Sequence, residues 1–255
     1  RNKAAVIRWW NGASAMLDLS NPRALAWFES EMDVLVEEYG VDGFKLDAGD
    51  MRFYDRAEII SFEGDSIPND HTQFFAKLGL KYPLNEYRAS WKMAGLPLAQ
   101  RLRDKAFQWS ALRQLIPGMI AQGLMGYAYT CPDMIGGGEY QSFLALESID
   151  EELIVRSAQV HALMPMMQFS VAPWRVLSEK NNIICRDMAR LHAEFGEEIL
   201  ALAHRSSETG EPIVKPMAWF WPDADYERIQ DQFILGHDLL VAPVVESGAR
   251  SRDVV

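Results

Sequence analysis

The 255-residue sequence predicts an α/β protein with parallel strands, on three observations. Strand-like and helix-like segments alternate along most of the chain, as in βαβ units, where helices cross between parallel strands. The length matches a (β/α)8 barrel, which needs about 250 residues. Finally, aspartates recur where apolar runs end, and that is where parallel α/β folds bind ligands. Apolar residues make up 49% of the chain and charged residues 24%, enough to bury a sizeable core.

Taken in order, "AAVIRWW" and "SAMLDL" read as short strands that close at "DLSNP". Ser20 or Asn21 can cap the next helix, and Pro22 suits its first turn, where a missing N–H costs nothing. Leu25, Phe28, Met32, Leu35 and Tyr39 recur at spacings of three and four, an amphipathic helix ended by Gly40. "VDGFKLDA" follows as a strand, which completes a βαβ unit. "MRFYDRAEIISFEGDSIPND" lacks periodicity and reads as a long loop, a kind that is often functional. Residues 70–82 predict a helix and 84–88 a strand, leading into the irregular, basic "SWKMAGLPLAQRLRDKAF". Residues 109–124 predict a helix bent by Pro117. "GYAYTCPDMIGGG" reads as a strand ending in a carboxylate and a Gly-rich turn. Residues 151–167 and 186–204 predict helices, "PIVKPMAWFWP" a late barrel strand and "FILGHDLLVAPVV" a strand pair. The chain opens inside an apolar run and stops at "SRDVV" as a strand begins, so it reads as part of something longer.

Composition narrows the function. The net charge of −11 argues against nucleic acid as a partner, which calls for Lys/Arg-rich surfaces, and is compatible with a neutral ligand such as a sugar. Cys131 and Cys185 form no CxxC pattern and no His/Cys cluster, so neither a zinc site nor a disulfide framework is readable. No apolar run reaches the roughly 18 residues of a membrane span. Neither a metal nor an organic cofactor is implied, and compartment and oligomeric state are not readable.

Asp18, Asp47 and Asp133 fall at predicted strand ends, and Asp104 in a loop leading from one. Paired carboxylates on such a rim suit glycoside hydrolysis, with one nucleophile and one general acid, or metal-assisted chemistry on oxygen ligands. Trp9, Trp10, Trp91 and Trp219 favour the first, since their faces can stack on sugar C–H surfaces. The plainer alternatives are that strand-end aspartates are helix caps or loop ion pairs and that isolated tryptophans are core. Lys45, on a barrel strand, allows a Schiff-base enzyme as a further alternative, and a non-catalytic carbohydrate-binding protein is another. His161, on a predicted helix, reads as a packed or surface histidine, and "MIGGG" lacks the spacing of a phosphate loop.

"WWNGASAMLDLSNPRALAWF", "GVDGFKLDAGD" and "GLMGYAYTCPDMIGGGEY" together resemble glycoside hydrolase family 31, mostly retaining α-glycosidases on a (β/α)8 barrel. The resemblance spans nearly the whole chain. It implies an incomplete barrel, from about strand three onward, over residues 1–222, with 223–255 closing the barrel and starting a C-terminal β-sandwich. It also implies a glycoside or oligosaccharide substrate. Asp47 in "KLDAGD" matches the family nucleophile, and Asp104 the general acid/base, with Trp109 five residues later as in the family's Asp-Asn-x-x-x-Trp pattern. Arg88, Asp133 and Trp10 match sugar-binding positions, Lys45 is a candidate electrostatic neighbour of Asp47, and Asp50 takes the place of an acidic residue just past the nucleophile. The retaining mechanism implies the two catalytic carboxyls about 5–5.5 Å apart.

Two departures bear on specificity. The usual Trp-x-Gly-Asp around the acid/base is here Arg101-Leu-Arg-Asp104, and the usual Arg-x-His is Gln168-Phe169-Ser170. Arg101 and Gln168 therefore stand as candidate substrate-binding residues. Arg101, Arg103 and Lys105 flank an acid that must hold a proton, so they are expected to point away from it or to bind substrate. "GLPLAQRLRDK" and "MMQFSVAPW" look more like the branch containing the myogenesis-regulating glycosidase, which implies α-galactosides. α-Glucosidase and α-xylosidase activities are the alternatives within the family.

Overall fold

A computed structural model describes residues 4–54, 59–64, 66–139, 141–144 and 146–255. The chain forms two compact units that meet in sequence between residues 100 and 101.

In the first unit, β1 (Val6–Trp9) and β2 (Gly12–Ala15) pair as an antiparallel hairpin, Val6 opposite Ala15. Helix α1 (Pro22–Tyr39) starts where Asn21 accepts a hydrogen bond from Arg23 N at 3.0 Å and ends at Gly40, whose φ of +66° suits glycine. Of its predicted apolar stripe only Met32 is buried, while Leu35 and Tyr39 stay exposed. Strand β3 (Gly43–Leu46) runs parallel to β4 (Leu84–Tyr87), with Lys45 opposite Glu86. Gly43 permits the approach, since a Cβ there would lie 1.9 Å from Leu84 O. The predicted long loop holds a 3-10 turn at Met51–Phe53 and a Ser61–Gly64 bridge, and residues 55–58 and 65 of it lie outside the described residues. Helix α2 (Pro68–Lys77) begins two residues before the predicted start, where Asp70 accepts from Ile67 N at 3.0 Å.

Strand β5 (Gln100–Arg101) spans the boundary, with Gln100 in parallel register with Tyr87. In the second unit Leu102 N donates to Cys131 O at 2.8 Å, beside β6 (Thr130–Cys131), which is shorter than expected. The predicted bent helix is two helices, α3 (Trp109–Arg113) and α4 (Leu115–Leu124). The physical reason is Pro117, which has no N–H for the carbonyl four residues back at Arg113 and whose ring crowds that carbonyl. After the short α5 (Gln141–Leu144), helix α6 (Glu151–His161) is capped by Asp150, which accepts from Leu153 N at 3.1 Å, and stops earlier than the sequence predicts. Helix α7 (Pro173–Val176) precedes α8 (Glu179–Glu194) and α9 (Gly196–Thr209), which meet at Phe195 inside the span predicted as one helix.

Strands β7 (Val214–Lys215), β8 (Phe233–Leu235) and β9 (Leu239–Val241) form an antiparallel sheet. "PIVKPMAWFWP" thus pairs with the strand pair expected beyond it, and its second half is a 3-10 turn at Met217–Trp219. Leu115, Ile116 and Met119 of α4 pack with Leu153 and Val160 of α6 and with Val214, Phe233 and Leu235 of this sheet. A second cluster joins Ile135, Ile154, Ala158 and Cys185, beneath the turn that carries Asp133.

Candidate active site

In the first unit the candidate residues gather around Arg88. Its side chain is 6% exposed; Nη1 lies 3.2 Å from Asp47 Oδ1 and Nη2 donates to Asp50 Oδ2 at 2.6 Å. A turn of two left-handed residues makes this fork possible, Ala48 at φ +68° and Gly49 at φ +78°. The turn swings Asp50 back so that one guanidinium serves both carboxylates. Gly49 has no room for a side chain, since a Cβ would sit 2.4 Å from the Phe75 ring. Thr72 Oγ1 donates to Gly49 O at 2.7 Å and ties the turn to α2.

Lys45, two residues before Asp47, forms an ion pair with Glu86 Oε1 at 3.0 Å. Glu86 is nearly buried, and reading the residues one at a time missed it, because only the parallel register brings it opposite Lys45. Trp10 lies in the turn between β1 and β2, 54% exposed, edge-on to Trp9 at 5.1 Å. Trp9 in turn meets the Phe53 ring at 6.4 Å, just beyond Asp50. Asp18 is a loop organiser: it accepts from Ser20 Oγ at 2.6 Å and from Phe62 N at 2.7 Å. Trp9, Gly49 and Asp50 line an apolar cavity of about 210 Å³ with Phe75 and His71, and Leu17 and Leu19, the neighbours of Asp18, line it too.

In the second unit Arg101 plays the corresponding part. It is 3% exposed, and Nη1 donates to Asp104 Oδ1 at 2.6 Å and to Asp133 Oδ1 at 3.1 Å. Of the two alternatives for the cations flanking Asp104, pointing away from it or binding substrate, the first is corrected for Arg101, which is buried against that carboxylate. Arg103 is exposed, and Lys105 turns inward. Asp133 is fully buried at φ +65°, a strained conformation for an aspartate. Its Oδ2 accepts from Lys105 N and Gly138 N, both at 2.9 Å.

The Gly-rich turn after Asp133 has a steric cause. A Cβ on Gly137 would lie 2.3 Å from Lys105 O, and one on Gly138 2.7 Å from Asp104 Oδ1. Trp109 Nε1 donates to Asp150 Oδ2 at 2.8 Å, which links the segment after Asp104 to the cap of α6. Gln168 is half-buried, and its carbonyl accepts from Ile135 N at 2.8 Å, so its backbone braces the same turn.

Below Asp133 lies a buried Lys105–His161 contact that neither residue's sequence context pointed to. Lys105 Nζ is 3.4 Å from His161 Nε2, and the fully buried imidazole also lies 3.2 Å from Asp133 O. Burial pushes the Lys105 ammonium down to about 8 and holds His161 well below the usual imidazole range. His161 is thus a packed residue, as read, but one that touches the backbone of a candidate site residue. Among the described residues no group of three His, Cys, Asp or Glu is arranged to hold a metal ion, and no helix is long and apolar enough to cross a membrane.

Residues 210–255 match the model of the glycosyl hydrolase family 31 C-terminal domain. The myogenesis-regulating glycosidase of Mus musculus is 35% identical over 259 residues, an alignment covering 98% of this chain and 36% of that protein. This chain belongs to glycoside hydrolase family 31. The SITS-binding protein of Tetronarce californica, 32% identical, is also covered over 36% of its length, so the family 31 chain spans about a third of these relatives. Among solved structures, a cycloalternan-degrading enzyme from Trueperella pyogenes in complex with a covalent intermediate aligns with a TM-score of 0.83 at 22% identity, over 96% of this chain and 37% of that one. A family 31 sulfoquinovosidase from E. rectale in complex with an aza-sugar inhibitor aligns at 0.82 and 21%, over 96% and 39%. At such identities the structural likeness establishes the α/β fold of this family 31 chain and nothing finer.

Proposed function

We propose that this family 31 chain carries the catalytic carboxylates of a retaining α-glycosidase, with α-galactosides the first substrates to test. The observation that carries the reading is Asp47, 43% exposed at the carboxyl end of β3 and held by the nearly buried Arg88 that also holds Asp50. A fixed, accessible carboxylate with a built-in counter-cation suits attack on an anomeric carbon. Asp104 is the general acid/base: it protonates the leaving oxygen and then activates water against the glycosyl-enzyme. Asp133 orders the loop beside Asp104, and Lys45 and Trp10 supply a half-exposed cation and ring for sugar hydroxyls and C–H faces. The family's usual Arg-x-His is Gln168-Phe169-Ser170 here, which favours a sugar other than glucose. In the same reading residues 1–222 belong to a partial (β/α)8 barrel, and 223–255 lead into a C-terminal β-sandwich.

The test uses the full-length protein and a panel of aryl α-glycosides. Asp47→Ala is expected to lose on the order of 10³-fold or more in kcat. Asp104→Ala should be similarly slow, yet partly restored by azide on substrates with good leaving groups. A fluorosugar should label the peptide containing Asp47. Near-native turnover by Asp47→Ala would sink the assignment, and loss of activity on EDTA treatment would favour metal-assisted hydrolysis instead.

A further inference from the structure

We propose that Lys105 is a positioning residue: its ammonium ties the carbonyls on either side of Asp133 to the residue that follows Asp104, and so holds both carboxylates on Arg101. Three acceptors surround Nζ, with Met134 O at 2.6 Å, Pro132 O at 3.2 Å and His161 Nε2 at 3.4 Å. An ammonium has three N–H donors and no acceptor, so the match is complete only for a charged lysine. His161 is set up to accept. Its Nδ1 lies 2.7 Å from Ser157 O and its Nε2 3.2 Å from Asp133 O; the neutral ring has one hydrogen, the closer carbonyl takes it, and Nε2 is left to present its lone pair to Lys105.

The tether acts on a strained element. Asp133 sits at φ +65°, and such a conformation persists only when its surroundings over-determine it. The carbonyls before and after it are the two that Lys105 binds, while the Lys105 N–H and the Gly138 N–H share Asp133 Oδ2. One residue therefore grips the turn by its side chain and the carboxylate by its backbone. Arg101 then reads out the result, since the same Nη1 meets Asp104 Oδ1 and Asp133 Oδ1. The titratable and charged groups facing the ammonium are Asp133 at 4.0 Å on the turn, Arg101 on β5 and the Cys131 thiol on β6, with the His161 ring from α6.

The consequence for catalysis rests on the roles proposed for Asp104 and Asp133, whereas the tether itself does not. Two readouts on the full-length protein separate them. Hydrogen exchange of residues 134–138, which include the Gly138 amide bound to Asp133, is expected to quicken about tenfold or more in Lys105→Met. Exchange within α6 should stay as in the wild type, because a methionine fills the space without a buried charge. In the same variant kcat on an aryl α-glycoside is expected to fall roughly 10- to 100-fold with KM little changed, the pattern of a misplaced catalytic group. Ethylammonium, but not ethanol, should restore part of the loss in Lys105→Ala. Wild-type exchange of residues 134–138 in Lys105→Met would overturn the proposal. So would wild-type kcat in that variant while Asp104→Ala is inactive. Full activity of Asp104→Ala would instead remove the acid/base reading and leave the tether to be judged by exchange alone. If Lys105→Met does not fold, Lys105→Gln, which keeps a donor but no charge, is measured by the same criteria.

Discussion

Asp47 and Asp50 are three residues apart in sequence, and one arginine just past the end of β4 serves them both. That arrangement makes Arg88 the residue with most to lose. Arg88→Met leaves two carboxylates without their shared cation, and because Asp47 is 43% exposed and Asp50 23%, water screens what remains and the cost is about 1–3 kcal/mol. The expected outcome is a lower midpoint in urea together with a fall in kcat/KM of about 100-fold or more, beyond what the folded fraction explains. Gly138 makes the opposite case, where stability and activity should part. A Cβ there would press on Asp104 Oδ1 at 2.7 Å and Asp133 Oδ1 at 3.0 Å. Gly138→Ala is expected to fold with a loss of about 1–3 kcal/mol while kcat drops at least about tenfold, measured by thermal denaturation and turnover side by side. At this scale the sequence was informative about residue type and less so about direction. Asp47, Arg88, Asp104 and Asp133 could be named from motifs, but the contact of Arg101 with Asp104 removes the alternative that this cation points away from the acid.

At the scale of elements, local rules explain most of what formed. Asn21, Pro22 and Gly40 bound α1 where capping chemistry puts them. Pro117 was read as a bend and acts as a break, because it offers no N–H to the Arg113 carbonyl and its ring crowds that carbonyl. The turn after β3 is set less by propensity than by what lies behind it. Gly49 combines a φ of +78° with contact against the Phe75 ring of α2. Gly49→Ala therefore meets both backbone strain and overpacking, and is expected to cost about 1–3 kcal/mol and to lower activity by shifting Asp50. Urea unfolding would detect the first effect. A stability equal to wild type would mean that the turn can relax.

For the molecule as a whole, buried titratable groups set how it responds to acid. His71, stacked on Tyr54 at 4.7 Å, is pushed down to about 4 by burial. A histidine lowered in the folded state favours the neutral ring, so the unfolded chain binds more protons between the two values. Its contribution is present above about pH 6.5 and is lost as pH falls through about 4, a difference of roughly 3 kcal/mol. Stability against urea should decline from pH 7 to pH 4, and His71→Leu should flatten that decline. Glu211 adds a second acid-side loss at lower pH. The Lys215 ammonium at 2.9 Å holds its carboxyl down to about 2, so its contribution fades as pH drops below about 4.5. A pH profile unchanged by His71→Leu would rule out this role for the ring.

The sequence by itself determined the α/β class, the caps and turns, and the identity of the carboxylates and cations. Those features depend on hydrophobic period, backbone stereochemistry and motif spacing, all of which are written along the chain. Only the tertiary structure decided which partner each side chain takes. Glu86 meets Lys45 through strand register, Arg101 bridges Asp104 and Asp133, which are 29 positions apart, and His161 of α6 reaches Lys105 in the loop before α3. Such contacts depend on how elements pack in space, and a buried charge takes its partner from that packing, whatever its neighbours in sequence.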